Sequence, residues 1–164
     1  MKGGDDDGDF AYAGLTVPSG SYLILITRLQ GEQTDTNSDF AETREQLNQR
    51  VQMSEGDGNA RLLSQLAVVD ALLGKKRDAV LEGKRAVEML PISKDAVDGP
   101  LVLLNLAVVY AWTDDPNLAF ETLEPLTETP TGIYYGQLKR DPYWEPLRKD
   151  PRFEKLLAEL APKD

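Results

Sequence analysis

Carboxylates are the groups in this chain best placed to do chemistry, because its 164 residues include 28 Asp and Glu but neither histidine nor cysteine. Without imidazole, the commonest general base and metal ligand is missing. Without thiols there is no disulfide framework, zinc–thiolate site or thiol nucleophile. Asp5-Asp6-Asp7-Gly8-Asp9 invites calcium, but an EF-type loop needs oxygens at positions 1, 3 and 5, Gly at 6 and Glu at 12. Starting at Asp5 puts Phe10 at position 6 and Thr16 at position 12, and moving Gly8 to position 6 puts Gly3 at position 1. Both registers fail, and the run reads as a solvated acidic segment. Asp114-Asp115 falls at a helix start, where the helix dipole favours negative charge. Glu121, Glu124 and Glu128 follow along a solvent face. Paired carboxylates act as acid and base in glycosidases only across a pocket, and this spacing implies none. Gly74-Lys75-Lys76 lacks the preceding glycine and strand of a phosphate-binding loop. The sequence therefore predicts no catalytic, cofactor-binding or metal-binding residue, no cofactor, and a protein that is not an enzyme.

The formal net charge is −10 and is unevenly spread. Residues 1–59 carry −7, residues 60–99 carry +1 and residues 100–164 carry −4. Nucleic acid and anionic membrane surfaces want the opposite sign, so neither is an expected partner. One local basic cluster stands out, Lys75-Lys76-Arg77 with Lys84-Arg85, and it reads as a solvated outer helix face or as a docking patch for an acidic partner. No apolar run approaches the ~20 residues of a membrane span, since Leu23-Ile24-Leu25-Ile26 ends at Thr27-Arg28. The acidic N-terminus is unlike a signal peptide. These features point to a cytoplasmic protein.

The elements that must carry these residues repeat. Residues 66–71 read Leu-Ala-Val-Val-Asp-Ala and residues 106–111 read Leu-Ala-Val-Val-Tyr-Ala, forty positions on, with Ala79 falling on Ala119. Such self-similarity signals stacked helical pairs. Small residues sit where two antiparallel helices touch (Ala67, Ala79, Ala86), and large apolar residues fill the space beside them. Gly74 ends one helix and Pro91 another. The predicted helices are 22–30 and 39–53, 60–73 and 76–90, and 100–112 and 116–128, with Asp39 or Ser38, Asn59 and Asp98 as N-caps. Asp115-Pro116, Asp141-Pro142 and Asp150-Pro151 are three cap-plus-proline helix starts. The last opens an amphipathic helix with Phe153, Leu156, Leu157 and Leu160 on one face. Residues 1–20, with five glycines, read as an acidic, Gly-rich N-terminal segment.

The chain resembles the tetratricopeptide repeat (TPR) family. Leu63, Leu66, Ala67 and Asp70, then Ala79, Gly83 and Pro91, hold the offsets of that repeat, and Leu103, Leu106, Ala107 and Tyr110, then Ala119 and Leu123, hold them again. It departs from the pattern at Asp70, where an aromatic belongs, at Gly83, where Phe belongs, and in a period of 40 residues rather than 34. More narrowly, Ala86–Pro91, Ser93–Pro100 and Asp141-Pro142 through Phe153 are similar to the repeat-containing tail of bacterial multidomain regulators, such as kinases, winged-helix regulators and cyclases. The tail residues Asp141, Trp144, Arg148, Asp150, Arg152 and Phe153 read either as a recognition surface or as caps, buried rings and ion pairs.

The resemblance implies an all-α fold: a right-handed α-solenoid of about three hairpins (repeats about 22–58, 60–93 and 100–131, within a domain of 21–164) plus a C-terminal capping helix at 141–161. It also implies a non-enzymatic module binding a peptide or partner domain in a concave groove. The lining positions, carried over, are Arg61, Ser64, Val68 and Leu72, then Leu101, Leu104, Asn105, Val108 and Trp112. That lining is either an open apolar patch, which marks a binding site, or is filled by the chain itself from Phe10–Val17 or Ile133–Leu138. The rival function is an oligomerisation or spacer element of a larger regulator, acting as a homo-oligomer with no separate ligand.

Overall fold

Why the chain folds as it does is clearest in the two copies of the repeat. Gly74, at φ 76°, and Asp114, at φ 59°, both adopt the left-handed conformation, and they are forty residues apart. At each, the chain turns out of one helix and into the next. Lys75 N donates to the Asp70 carbonyl at 2.8 Å, and Asp115 N donates to the Tyr110 carbonyl at 3.0 Å, closing the same helix-ending loop twice. Four residues on, Ala79 N and Ala119 N open the following helices by donating to the carbonyls of Lys75 and Asp115. The period read in the side chains is thus also a period of the backbone.

A computed structural model describes residues 11–12, 15–16, 19–31 and 35–162, with side chains from residue 20 onward. The helices are α1 (Ser19–Leu29), α2 (Thr36–Met53), α3 (Gly56–Leu72), α4 (Lys76–Met89), α5 (Asp98–Trp112), α6 (Pro116–Leu123), α7 (Tyr135–Arg140) and α8 (Pro151–Leu160). Two 3-10 segments, Glu124–Thr127 and Pro142–Leu147, join the later ones. The class is all-α, as expected. Among the described residues the one element of another kind is a two-residue antiparallel ladder, β1 (Ala11–Tyr12) with β2 (Leu15–Thr16), which pairs Ala11 with Thr16 and Tyr12 with Leu15.

Helices α3 and α4 form one hairpin and α5 and α6 the next, and α5 packs on both α3 and α4. The helix contacts are made by small side chains: Ala67, Ala79, Ala86, Ala107 and Ala119 are fully buried. Leu66, Val68, Val69, Leu104, Val108 and Val109 fill the space around them. α3 and α5 are buried nearly all round, which is why neither shows a clear apolar stripe. α2 lies against α3. α1 packs on α2 and reaches the segment Pro142–Leu147, but makes no comparable face with α3, so the first helical pair does not repeat the arrangement of the later two. Arg28 fixes its position: Nη1 donates to the Leu72 carbonyl at the end of α3 at 2.6 Å, Nη2 donates to Asn37 Oδ1 at 2.7 Å, and the guanidinium lies 4.5 Å from the Phe40 ring centroid.

Several helix boundaries move by a few residues, each for a local reason. α2 starts at Thr36 because Asp35, not Asp39 or Ser38, accepts from Ser38 N at 3.1 Å. α3 starts at Gly56, and Asn59 is no N-cap: its Nδ2 donates to the carbonyls of Val51 and Ser54, both at 2.8 Å, finishing α2 instead. Asp95 takes the capping job expected of Asp98, accepting from Val97 N and Asp98 N at 2.8 and 2.9 Å. Those two bonds hold its carboxyl below the usual range. Pro125 turns the end of α6 into a 3-10 segment. The turn after it approaches its own backbone so closely that a Cβ on Gly132 would lie 1.9 Å from the Leu126 carbonyl oxygen.

Candidate protein-interaction surface

The lining expected of the groove lies inside the protein. Ser64, Val68, Leu72, Leu104, Asn105 and Val108 are all buried, Leu101 and Trp112 are half-buried, and Arg61 is exposed. Asn105 Nδ2 donates to Ser64 Oγ at 2.9 Å, joining α5 to α3, so these two polar residues pair with each other. Arg61 pairs with Asp98 at 3.3 Å. The cover is the chain itself. Pro142–Leu147 and β2 both lie along α5, and Tyr143, Trp144 and Leu147 are buried to 0–1% exposure. Trp112 Nε1 donates to the Tyr143 carbonyl at 2.8 Å, so a residue expected to line the groove holds the protein's own tail. Ile133 and Leu138, expected as possible fillers, are buried too, but the segment seated on α5 is the next one along. β2 falls within the other expected filler; Phe10 and Val17, like the acidic run Asp5–Asp9, lie outside the described residues.

The tail residues are structural in their contacts. Asp141 accepts from Tyr143 N at 3.0 Å, and burial pushes its carboxyl up to about 6 against that bond. Asp150 accepts from Arg152 N at 2.9 Å and from Arg152 Nη2 at 2.7 Å, which brings its carboxyl down to about 2. Arg152 then reaches α6, donating to Asn117 Oδ1 at 2.9 Å with its guanidinium 4.4 Å from the Phe120 centroid. Phe153 and Leu156 are buried, so α8 seats its apolar face as its pattern requires.

Asp70 is the departure with most consequence. It is fully buried where the repeat calls for an aromatic, and the guanidinium of Arg44, on α2, forms a fork with its two carboxylate oxygens. Lys75 Nζ lies 3.8 Å away. A buried carboxylate is tolerable only with such partners, and here the pair fastens α2 to the first hairpin. Glu82, on α4, shares the site. Burial first, and then the Asp70 charge, push its carboxyl up to about 7. Sequence reasoning flagged Asp70 as an exception but had no means of finding Arg44, 26 residues earlier on a different helix.

Two exposed surfaces among the described residues stand out. One is a cleft of about 480 Å3 between α7 and α8. Phe153, Glu154, Leu157, Ala158 and Ala161 line it on the α8 side, and Tyr135, Lys139 and Arg148 face them. Lys139 Nζ sits 2.9 Å from Tyr135 Oη and, among the described residues, has no carboxylate partner. Arg148 stacks on Phe153 at 5.6 Å, pairs with Glu145 at 2.9 Å and donates to the carbonyls of Lys139 and Asp141, closing the end of α7. Nothing in the sequence pattern marked this cleft, because its walls come from two short helices with no shared period. The other surface is the outer face of α4, where Arg77, Leu81, Lys84 and Arg85 are exposed.

Among the described residues no group of three or more acidic side chains is placed to hold a metal ion, and no helix is long and apolar enough to cross a membrane. Comparison of the chain with protein-family models, with curated proteins and with solved structures finds no match.

Proposed function

We propose that this chain is a TPR-like protein-interaction module without catalytic activity of its own, and that it holds a short amphipathic peptide in the α7–α8 cleft rather than in the concave groove. The repeat in sequence and backbone supports the first part, since stacked helical hairpins serve as binding scaffolds. The observation that carries the second part is the cleft: Leu157 and Ala158 give it an apolar portion beside Glu154, and Lys139, bonded to Tyr135 and without a carboxylate partner among the described residues, stands at its rim, while Pro142–Leu147 lies along α5 of the groove. Its volume is within the range of sites that bury a small ligand or an anchoring side chain. The peptide chemistry that fits is one large apolar side chain against Leu157 and Ala158, next to a carboxylate that reaches Lys139.

The test is a selection from a displayed random-peptide library on the full chain. The selected peptides are then titrated against wild-type protein, Leu157→Glu and Lys139→Glu. Peptides carrying an apolar residue beside Asp or Glu, losing at least tenfold in affinity (about 1.4 kcal/mol) on either variant, are expected. Peptides that bind both variants as tightly as wild type would move the site elsewhere. A selection that yields no binder would remove the proposal.

A further inference from the structure

The outer faces of α2 and α4 are matched in charge and differ in sign. On α4, Arg77, Leu81, Lys84 and Arg85 recur at the spacing of one helix face, and all four are exposed, Leu81 to 67%. Among the described residues none of these three cations has a carboxylate within ion-pair distance. Glu88 lies on that face, and Asp78, also exposed, borders it beside Arg85. On α2, Asp39, Glu42 and Glu45 occupy the outward side, followed by Met53 at 86% exposure, with Arg50 as its base. Among the described residues Glu42 and Glu45 accept from glutamines one turn on, Gln46 and Gln49, at 3.4 and 3.0 Å. Each face therefore offers mainly like charges and one exposed apolar side chain to solvent, and the two faces are complementary in sign.

We infer that a second copy of this chain covers them, α2 of one protomer lying on α4 of its partner and the reverse contact forming at the same time. Both helices pack on α3, and a single two-fold axis relating the two copies would form both contacts at once, giving a closed, self-complementary interface. Leu81 and Met53 supply the apolar contact, and the opposed charges set the register. The net charge of −10 on each copy opposes association over long distances. At physiological ionic strength the Debye length is about 8 Å, so distant repulsion is screened while charges in contact are not. A different acidic protein would meet the same basic face but would leave the acidic face of α2 uncovered.

Sedimentation of the full chain over a concentration series tests this. Wild type is expected to form a dimer. Arg77→Glu/Lys84→Glu and Glu42→Lys/Glu45→Lys are each expected to weaken it at least tenfold. The decisive arm mixes the two variants in equal amounts: every altered face then meets one of opposite sign, and the dimer is expected to return. A wild-type chain that stays monomeric throughout, a dimer indifferent to both reversals, or a mixture that fails to re-associate would each overturn the inference. Circular dichroism checks that both variants fold, and where a reversal does not, Arg77→Ala/Lys84→Ala takes its place. None of these positions lines the α7–α8 cleft, so peptide binding by the monomeric variants reports on the proposed function independently.

Discussion

At the residue scale the buried charges decide the most. Asp70 is fully enclosed, and Arg44 offsets its desolvation with two hydrogen bonds from a side chain that is itself 24% exposed. Removing one partner strands the other, so Arg44→Ala is expected to destabilise the fold by about 3 kcal/mol or more. Arg44→Met combined with Asp70→Leu should recover most of that loss, since an apolar pair of similar size needs no desolvation. Denaturant unfolding of the three proteins measures both effects. Glu82 has the opposite problem, a carboxyl held at about 7 by burial and by the Asp70 charge. A carboxyl raised in the folded state binds its proton more tightly there than when unfolded, so it favours folding below its unfolded pKa. That contribution is lost as pH rises from about 4.5 through about 7. The thermal midpoint is expected to fall over that interval, and to fall less in Glu82→Gln.

At the element scale the forty-residue repeat was legible because it is local: alanines at helix contacts, glycine or aspartate at the turn, and an Asp-Pro start each act within a few residues. The structure returns hairpins α3–α4 and α5–α6 in the register those residues imply. Boundaries were less legible where several capping groups compete. Asp95 and Asp98 are equally suited by type, and only the loop geometry selects Asp95. The repeat also contains its own control experiment. Gly74 and Asp114 occupy the same left-handed position, which an aspartate adopts at a cost and a glycine does not. Asp114→Gly is expected to raise stability by about 0.5–1 kcal/mol, read as an upward shift of the thermal midpoint. An unchanged or lower midpoint would mean that the Asp114 side chain contributes more than its backbone costs.

At the scale of the whole molecule, the fate of the groove was the part sequence reasoning left open, for a physical reason. Periodicity identifies which face of a helix is apolar, but not which distant segment covers it. Tyr143 and Trp144 come from a 3-10 segment about thirty residues beyond α5, with no helical period of its own. The hydrogen bond from Trp112 Nε1 to the Tyr143 carbonyl ties α5 to the tail. Trp112→Ala is therefore expected to cost roughly 2 kcal/mol of stability, less than a fully buried tryptophan because the ring is half-exposed. The loss should appear in unfolding experiments without any ligand present. A variant with unchanged stability would show that Pro142–Leu147 is only loosely seated and that the α5 face can be uncovered.

Gly132 has a consequence for descent. The Leu126 carbonyl stands where any side chain at that position would begin, and it is engaged there by Ile133 N at 3.2 Å. A side chain at this position forces the turn between α6 and α7 to shift, so substitutions here are expected to be poorly tolerated. The helical faces can exchange one aliphatic residue for another over long divergence, eroding the forty-residue signature. The glycine is expected to erode far more slowly. In a saturation-mutagenesis survey scored for folded protein, position 132 is expected to accept glycine alone, while Leu81 and Met53 accept many residues. A distant cousin of this chain, past the point where its repeats can be aligned, should still carry that glycine a few residues after the proline that ends its last hairpin.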